Sequence, residues 1–399
     1  MGPSVFVLEN PIQDYAWGSR TAIARLLGRP TPAPGPEAEL WIGAHPKAPS
    51  RVVSPPGLGT LERVIQQDPV SVLGREVCDR FGNELPFLLK VLAAAEPLSI
   101  QAHPDHAQAR RGWARENAEG IPVDAPHRNY RDPNHKPELV CALEPFVALK
   151  GFRPAEEVAR NVEPVARPEL APELGRLARE RTPAALRSLF ARLMTLDAEE
   201  RTAVLKRAGD EAARREGDAA WEWVGRLMAR YPGDVSALSP LYLNLLTLAP
   251  GEALFLPAGE LHAYLGGTAL EIMANSDNVL RGGLTTKHVD VPELLSLLTF
   301  DGRAPEVLTA QAAGPGERVY RTPAREFELA LLDVAADRPY RPNAGRGVEV
   351  LLALEGEMAL KTGGETTLLA RGTSVLVPAS LPSYAIEGEG RVCRARVPA

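Results

Sequence analysis

Four side chains able to hold a metal ion stand in three separated stretches of the chain. Pro97-Leu-Ser99-Ile-Gln101-Ala-His103-Pro104 reads as a strand, and alternate side chains of a strand share a face, which groups Ser99, Gln101 and His103. Glu138 opens the apolar run Leu139-Val-Cys-Ala-Leu and is preceded by two titratable groups, His135 and Lys136. His262 follows a sharp corner. There the apolar run Leu254-Phe-Leu256 ends at Pro257, with its fixed φ, and Gly259, with its permissive one. Imidazole suits zinc, and a carboxylate or amide oxygen can complete a mixed set. Each residue alone has an ordinary reading, since histidines after turns are common and a glutamate before a strand is usually a solvated edge. Two donors on one strand face, however, can both reach a single ion.

Cations and proton carriers lie around these stretches. Lys90 sits inside the apolar run Leu85-Pro-Phe-Leu-Leu-Lys90-Val-Leu, where a buried ammonium is costly unless paired or used. The ordinary alternative puts it on the strand's solvent face. Arg281, beside Gly282-Gly283, and Lys287 offer a planar fork and a point charge, the pair that suits a phosphate; a solvated loop is the plain reading for Lys287. Glu271 alternates with Leu270 and Ile272, so it faces away from their side, towards a cavity. Asp277 belongs to the turn Asn275-Ser-Asp-Asn278, and Tyr264 lies two residues beyond His262. A general base or acid can come from His135, Lys136, Glu271, Asp277 or Tyr264. The sequence does not choose among them.

The elements that must position these groups are mainly strands, divided by a helical stretch. Residues 1–152 hold the strands around Lys90, Gln101 and Glu138, with helix expected near 60–83. Residues 153–236 shift to Ala, Arg, Glu and Leu. Leu186, Leu189, Phe190, Leu193 and Met194 there form the stripe of an amphipathic helix. Thr182 before Pro183 and Asp197 are its expected caps and those of its successor. Residues 237–317 return to strands carrying His262 and Arg281, and residues 318–399 read as short strands with glycine turns. In that last segment Gly372, Pro378, Ser380 and Ser383 repeat the spacing of Gly251, Pro257, Gly259 and His262.

The spacing from Gly251 to His262 resembles the second signature of the cupins, which are double-sheet jelly rolls. The last segment then resembles a second cupin unit in which Ser383 replaces the metal ligand. The stretches Gln101-Ala-His103-Pro-Asp, Asn134-His-Lys-Pro-Glu138, Pro257-Ala-Gly-Glu-Leu-His262-Ala-Tyr264 and Asn275-Ser-Asp-Asn-Val-Leu-Arg281-Gly-Gly-Leu-Thr-Thr-Lys287 resemble the signatures of type I mannose-6-phosphate isomerase. Tyr15-Ala-Trp17-Gly18 and Glu39-Leu-Trp41-Ile-Gly43-Ala-His45-Pro46 match as well.

The resemblance implies one zinc ion per chain on Gln101, His103, Glu138 and His262. That set carries one negative charge, so a divalent ion on it keeps one positive charge. It also implies catalytic roles among Arg281, Lys136, His135, Glu271, Asp277 and Tyr264, and substrate binding by Lys90, Ser99 and Lys287. The implied fold is mainly β with a helical insertion, two cupin jelly rolls plus a helical domain. The implied activity interconverts mannose 6-phosphate and fructose 6-phosphate through an enediol. Two departures bear on substrate contacts: His106 stands where the family often has Lys, and RGGLTTK replaces the usual RAGLTPK. Another sugar-phosphate isomerase or epimerase, or a non-catalytic sugar-phosphate sensor, is the alternative.

The remainder of the sequence narrows the class. At 399 residues with 45% hydrophobic and 24% charged content, the chain is ordinary for a globular protein of more than one domain. A net charge of −6 with scattered arginines argues against a nucleic-acid partner. Cys78, Cys141 and Cys393 form neither a disulfide framework nor a thiol zinc site. No signal peptide or membrane span is expected, so the simplest location is the cytoplasm. Oligomeric state is not readable, and a monomer is the expectation.

Overall fold

In a computed structural model, which describes residues 4–342 and 346–398, two large antiparallel sheets account for most of the strands. One sheet holds the candidate site. Its principal path runs Leu308–Thr309, Glu252–Leu256, Glu138–Ala142, His262–Ala274, Phe87–Ala94, Glu39–Ile42 and Ile12–Gln13. The strand His262–Ala274 is shared between two halves. Near His262 it pairs with Ile100–Ala102 and Phe146–Phe152, and beyond Gly267 it pairs with Phe87–Ala94 and Glu138–Ala142. The ladder register shifts between Tyr264 and Gly266, and Gly267 has a φ of +112°. A Cβ on Gly267 would sit 2.5 Å from the carbonyl oxygen of Pro145. Only glycine lets the strand bend there and cross from one half to the other.

Period-2 alternation then sorts the side chains of this shared strand. Leu270 and Ile272 join Leu89, Val91, Leu139 and Cys141 on one face, against Leu329, Leu331, Val350, Leu352 and Cys393 of the second sheet. Each such buried aliphatic side chain contributes about 1.5–3 kcal/mol, so this seam fixes the two sheets on each other. Tyr320 adds a polar tie, its hydroxyl donating to the carbonyl of Gly251 at 2.6 Å. The opposite face of the strand carries Glu271, beside Lys90 of the neighbouring strand.

The second sheet contains the C-terminal strands, led by Glu328–Val334, Glu349–Lys361 and Ala385–Arg396. It also contains Phe6–Glu9 and Arg51–Ser54. Phe6–Glu9 pairs with Ser374–Val377, Phe6 opposite Leu376. The opening strand, read from the sequence with the residues around Lys90, therefore belongs to the other sheet. Alternation reveals which face of a strand is buried, not which strand lies beside it.

The middle segment forms five helices: Ala155–Ala166, Ala171–Glu180, Pro183–Met194, Ala198–Arg214 and Ala219–Arg230. The expected caps are present. Thr182 accepts from the Ala185 amide at 3.2 Å, and Asp197 forms a capping box with Glu200. The expected stretch at 60–83 is helical but broken into Leu61–Gln67, Pro69–Leu73 and Arg75–Phe81, because Pro69 and Gly74 interrupt it. The helices bury Leu186, Leu189, Phe190 and Leu193 with Phe152 of the strand Phe146–Phe152 and Tyr242 of the short helix Ser239–Tyr242. No helix among the described residues is long and apolar enough to cross a membrane.

Candidate active site

The corner before His262 is fixed by backbone contacts. Gly259 has a φ of +75°, and its amide donates to the carbonyl of His103 at 2.8 Å. A Cβ there would meet the Leu297 carbonyl at 2.8 Å. The corner thus places His262 directly beside His103. In the sheet, Gln101 lies between His262 on one side and Arg281 on the other. Residues directly opposite in an antiparallel ladder present their side chains to the same face. Gln101, His262 and Arg281 are therefore neighbours on the cavity side.

His103, Glu138 and His262 converge, with donor atoms all within 4.8 Å of one another. Each imidazole is oriented by a carbonyl. Nδ1 of His103 is 2.7 Å from the Asn278 oxygen, and Nδ1 of His262 is 3.0 Å from the Glu260 oxygen. A carbonyl only accepts, so both Nδ1 atoms carry the proton and both Nε2 atoms present lone pairs. Those Nε2 atoms lie 3.3 and 3.4 Å from the two oxygens of Glu138. Both are buried with no hydrogen-bond partner.

Two lone-pair nitrogens facing a carboxylate repel unless a cation lies among them. The donor set therefore fits a divalent metal, with Gln101 on the adjacent strand able to supply an amide oxygen. Burial pushes the His103 ring down to about 4, against the opposing pull of Glu138, which keeps it in the ligating neutral form. Burial also opposes the charge of Glu138, but the Lys136 ammonium beside it outweighs burial and holds the carboxyl well below its usual range.

Above this triad opens a cavity of about 620 Å³. Lys136, Ser99, Lys90, Glu271, Tyr264, Asp277, Arg281 and Lys287 all line it. Nζ of Lys136 lies 3.0 Å from Oε1 of Glu138. Lys90 is buried rather than solvated, at 3.0 Å from Glu271 and 3.6 Å from Glu39. Burial works against its charge, but the two carboxylates raise its pKa above the ordinary lysine value. One ammonium serves two carboxylates, and burial leaves Glu271 with a raised pKa despite Lys90. The hydroxyl of Tyr264 is buried without a partner, and burial, then Glu271, hold it protonated. At the mouth, Asp277 pairs with Lys47 at 2.9 Å and faces His45 at 3.7 Å.

The cations on the far wall are of another kind. Among the described residues, Arg131, Arg281 and Lys287 have no carboxylate partner. Burial and Arg131 lower the pKa of Arg281, and burial followed by Arg281, Arg131 and Lys47 lowers that of Lys287. Cations crowded together without counter-charge make a receptor for an anion.

The structure separates His135 from this group. Its ring lies outside the cavity wall, 2.9 Å from Glu326 and stacked on His106. The structure therefore does not bring His135 together with the other expected catalytic residues. Lys136 faces the site, so the residue next to it along extended backbone points elsewhere. Several residues that the sequence left unassigned also matter. Glu39 takes the indole N–H of Trp41 at 2.6 Å and helps hold Lys90. Asn278, fully buried, donates to the carbonyls of Asp132 and Asn134 and accepts from the Arg131 amide, fastening the loop that leads to Lys136. The match at Glu39-Leu-Trp41 was the available signal for Glu39, and nothing local marked Arg131.

Known proteins resemble the chain along nearly its whole length. The profile for phosphomannose isomerase type I, catalytic domain, matches residues 5–155, and that for the mannose-6-phosphate isomerase cupin domain matches residues 323–397. The chain is 43% identical to a mannose-6-phosphate isomerase of Escherichia coli (strain K12), over 97% of this chain and 98% of that one. A zinc-bound crystal structure of a mannose 6-phosphate isomerase superposes with a TM-score of 0.93 at 40% identity, covering 99% of this chain and 100% of that one. The apo form from Salmonella typhimurium gives 0.92 at 40% identity, with the same coverage. Likeness that runs through both sheets and the helices between them places the chain in the type I phosphomannose isomerase family.

Proposed function

We propose that the chain interconverts D-mannose 6-phosphate and D-fructose 6-phosphate, with a zinc ion held by His103, Glu138, His262 and Gln101. The observation that carries this reading is the pair of orphaned Nε2 atoms facing Glu138 beneath a cavity with an unpaired cation wall. A bound zinc ion would supply positive charge where negative charge builds on the oxygens at carbons 1 and 2.

The reaction is balanced without any redox partner. A base removes the proton from carbon 2 of the open-chain aldose, the enediol forms, and the proton is returned to carbon 1. The carbonyl oxygen gains a proton as the neighbouring hydroxyl loses one. Arg281, Lys287 and Arg131 hold the phosphate and so fix the sugar chain along the cavity. Holding the reacting carbons in place supplies much of the rate by removing orientational freedom.

Among the candidates for proton transfer, Lys136 has the strongest support. Glu271 is tied to Lys90, Asp277 to Lys47, and Tyr264 is held protonated by burial. His135 lies outside the cavity. Lys136 is paired as well, to Glu138, but that carboxylate is the one a metal would engage, and the Lys136 nitrogen lines the cavity beside the triad; we assign it the proton exchange with the substrate. Tyr264 and Lys90 with Glu271 line the wall as fixed donors and acceptors for sugar hydroxyls. Ser99 joins them there.

A comparison of mannose 6-phosphate with unphosphorylated mannose tests this reading, using detection of the ketose product. Efficient conversion of the phosphate ester alone is expected. Equal kcat/KM on both sugars would overturn the assignment of the cation wall.

A further inference from the structure

Outside the active-site cavity, a second trio of metal-ligating side chains lies at the seam between the two sheets. His106 is the first residue of the helix His106–Ala118, after its N-cap Asp105. His135 comes from the loop that leads to Lys136. Glu326 comes from the segment preceding the C-terminal strand Glu328–Val334. Nε2 of His135 lies 2.9 Å from Oε1 of Glu326, and the rings of His106 and His135 stack with centroids 3.6 Å apart. One donor atom from each of the three residues lies within 4.8 Å of the others.

We propose that His106, His135 and Glu326 form a second metal site, for a late first-row divalent ion such as Zn²⁺. Two imidazoles and a carboxylate are a common zinc donor set, and they leave one coordination position for water. Bonds of about 2.0–2.1 Å in tetrahedral geometry place donor atoms roughly 3.3 Å apart. His135 and Glu326 are already close to that separation at 2.9 Å, and the His106 donor lies within 4.8 Å of both. The stacked rings must splay to aim two lone pairs at one point. His106 can do this because it is exposed and makes no side-chain hydrogen bond among the described residues. Glu326 is the fixed member: it is buried, and its second oxygen accepts the Arg325 amide at 3.1 Å. A supporting hydrogen bond of this kind orients a ligating carboxylate.

The site depends on His106, since a lysine in its place would remove one donor and bring an ammonium that repels a cation. An ion at the trio would join three segments, one of them carrying Lys136 directly after His135. Occupancy would therefore fasten that loop to the C-terminal unit. Burial and four donors favour filling of the deep site first, so the second ion binds more weakly.

The test is metal stoichiometry on the full chain. Protein equilibrated against buffered Zn²⁺ is analysed by elemental spectrometry, with thermal unfolding followed in parallel. Two equivalents are expected for the unaltered chain, with a further rise in Tm on filling the second site. His106→Lys and, separately, Glu326→Gln should each hold one equivalent and lose that second rise. A single equivalent in the unaltered chain, or two retained in either variant, would overturn the proposal.

Discussion

Lys136 and Glu138, separated by a single proline, meet nitrogen to oxygen at 3.0 Å, while both oxygens of Glu138 also face imidazole nitrogens. One carboxylate thus holds together the metal triad and the nitrogen assigned to proton transfer. Replacing Glu138 by Gln removes the charge and leaves the two lone pairs without it. Loss of supporting groups outside a metal's ligand shell already costs about 10–100-fold in affinity, so loss of a ligand should exceed that. Glu138→Gln is expected to emerge from dialysis nearly free of zinc, as measured by elemental analysis.

Lys136 can be separated from metal binding. Lys136→Met keeps the length of the side chain but cannot exchange a proton. If Lys136 carries the proton, kcat falls by about 10²–10⁴-fold while zinc content stays at one equivalent in the deep site. A variant with kcat within a few-fold of the unaltered chain would move the role to another cavity residue.

Much of this site could be read before the fold was known, and the reasons are local. Gln101 and His103 share a strand face, and Pro257 with Gly259 forces the corner that delivers His262. Those are matters of chain geometry over a few residues. His135 neighbours Lys136 in sequence, yet its ring turns to Glu326 and His106, a direction set by segments far away in the chain. Arg131 and Asn278 depend on two loops approaching from positions about 150 residues apart, for which neither loop carries a marker of its own. The strand Phe6–Glu9 has clear alternation, yet its partner Ser374–Val377 lies at the far end of the chain. The helix Pro183–Met194 and the start of its successor were legible because stripe and caps are local, whereas Ala155–Ala166 and Ala171–Glu180 begin without a side-chain cap to mark them.

Lys90 is a structural hinge of the cavity wall. Its ammonium is the cationic partner between Glu39 and Glu271, all three buried. Removing one partner of a buried pair costs about 3–5 kcal/mol, because the remaining charges lose their compensation. Lys90→Met should therefore lower the denaturation midpoint markedly, and adding Glu271→Gln should recover part of the loss. A fully additive double variant would contradict the coupling.

The phosphate wall has a pH signature. Burial and the neighbouring cations lower the pKa of Lys287, so the free enzyme loses this charge at lower pH than an ordinary lysine would. Substrate phosphate favours the charged form, and affinity is therefore present below that pKa and lost as pH rises through it. KM for mannose 6-phosphate should climb on the alkaline side. Lys287→Arg keeps its charge there and should flatten the rise, which initial-rate profiles of both proteins would reveal.

The triad of His103, Glu138 and His262 is expected to need a metal to act. The direct measurement is isomerisation of mannose 6-phosphate before chelation, after chelation and after return of zinc. Activity should vanish with the chelator and reappear on return of the first equivalent of zinc to a folded protein. Full activity in protein shown by elemental analysis to contain no metal would contradict the central claim.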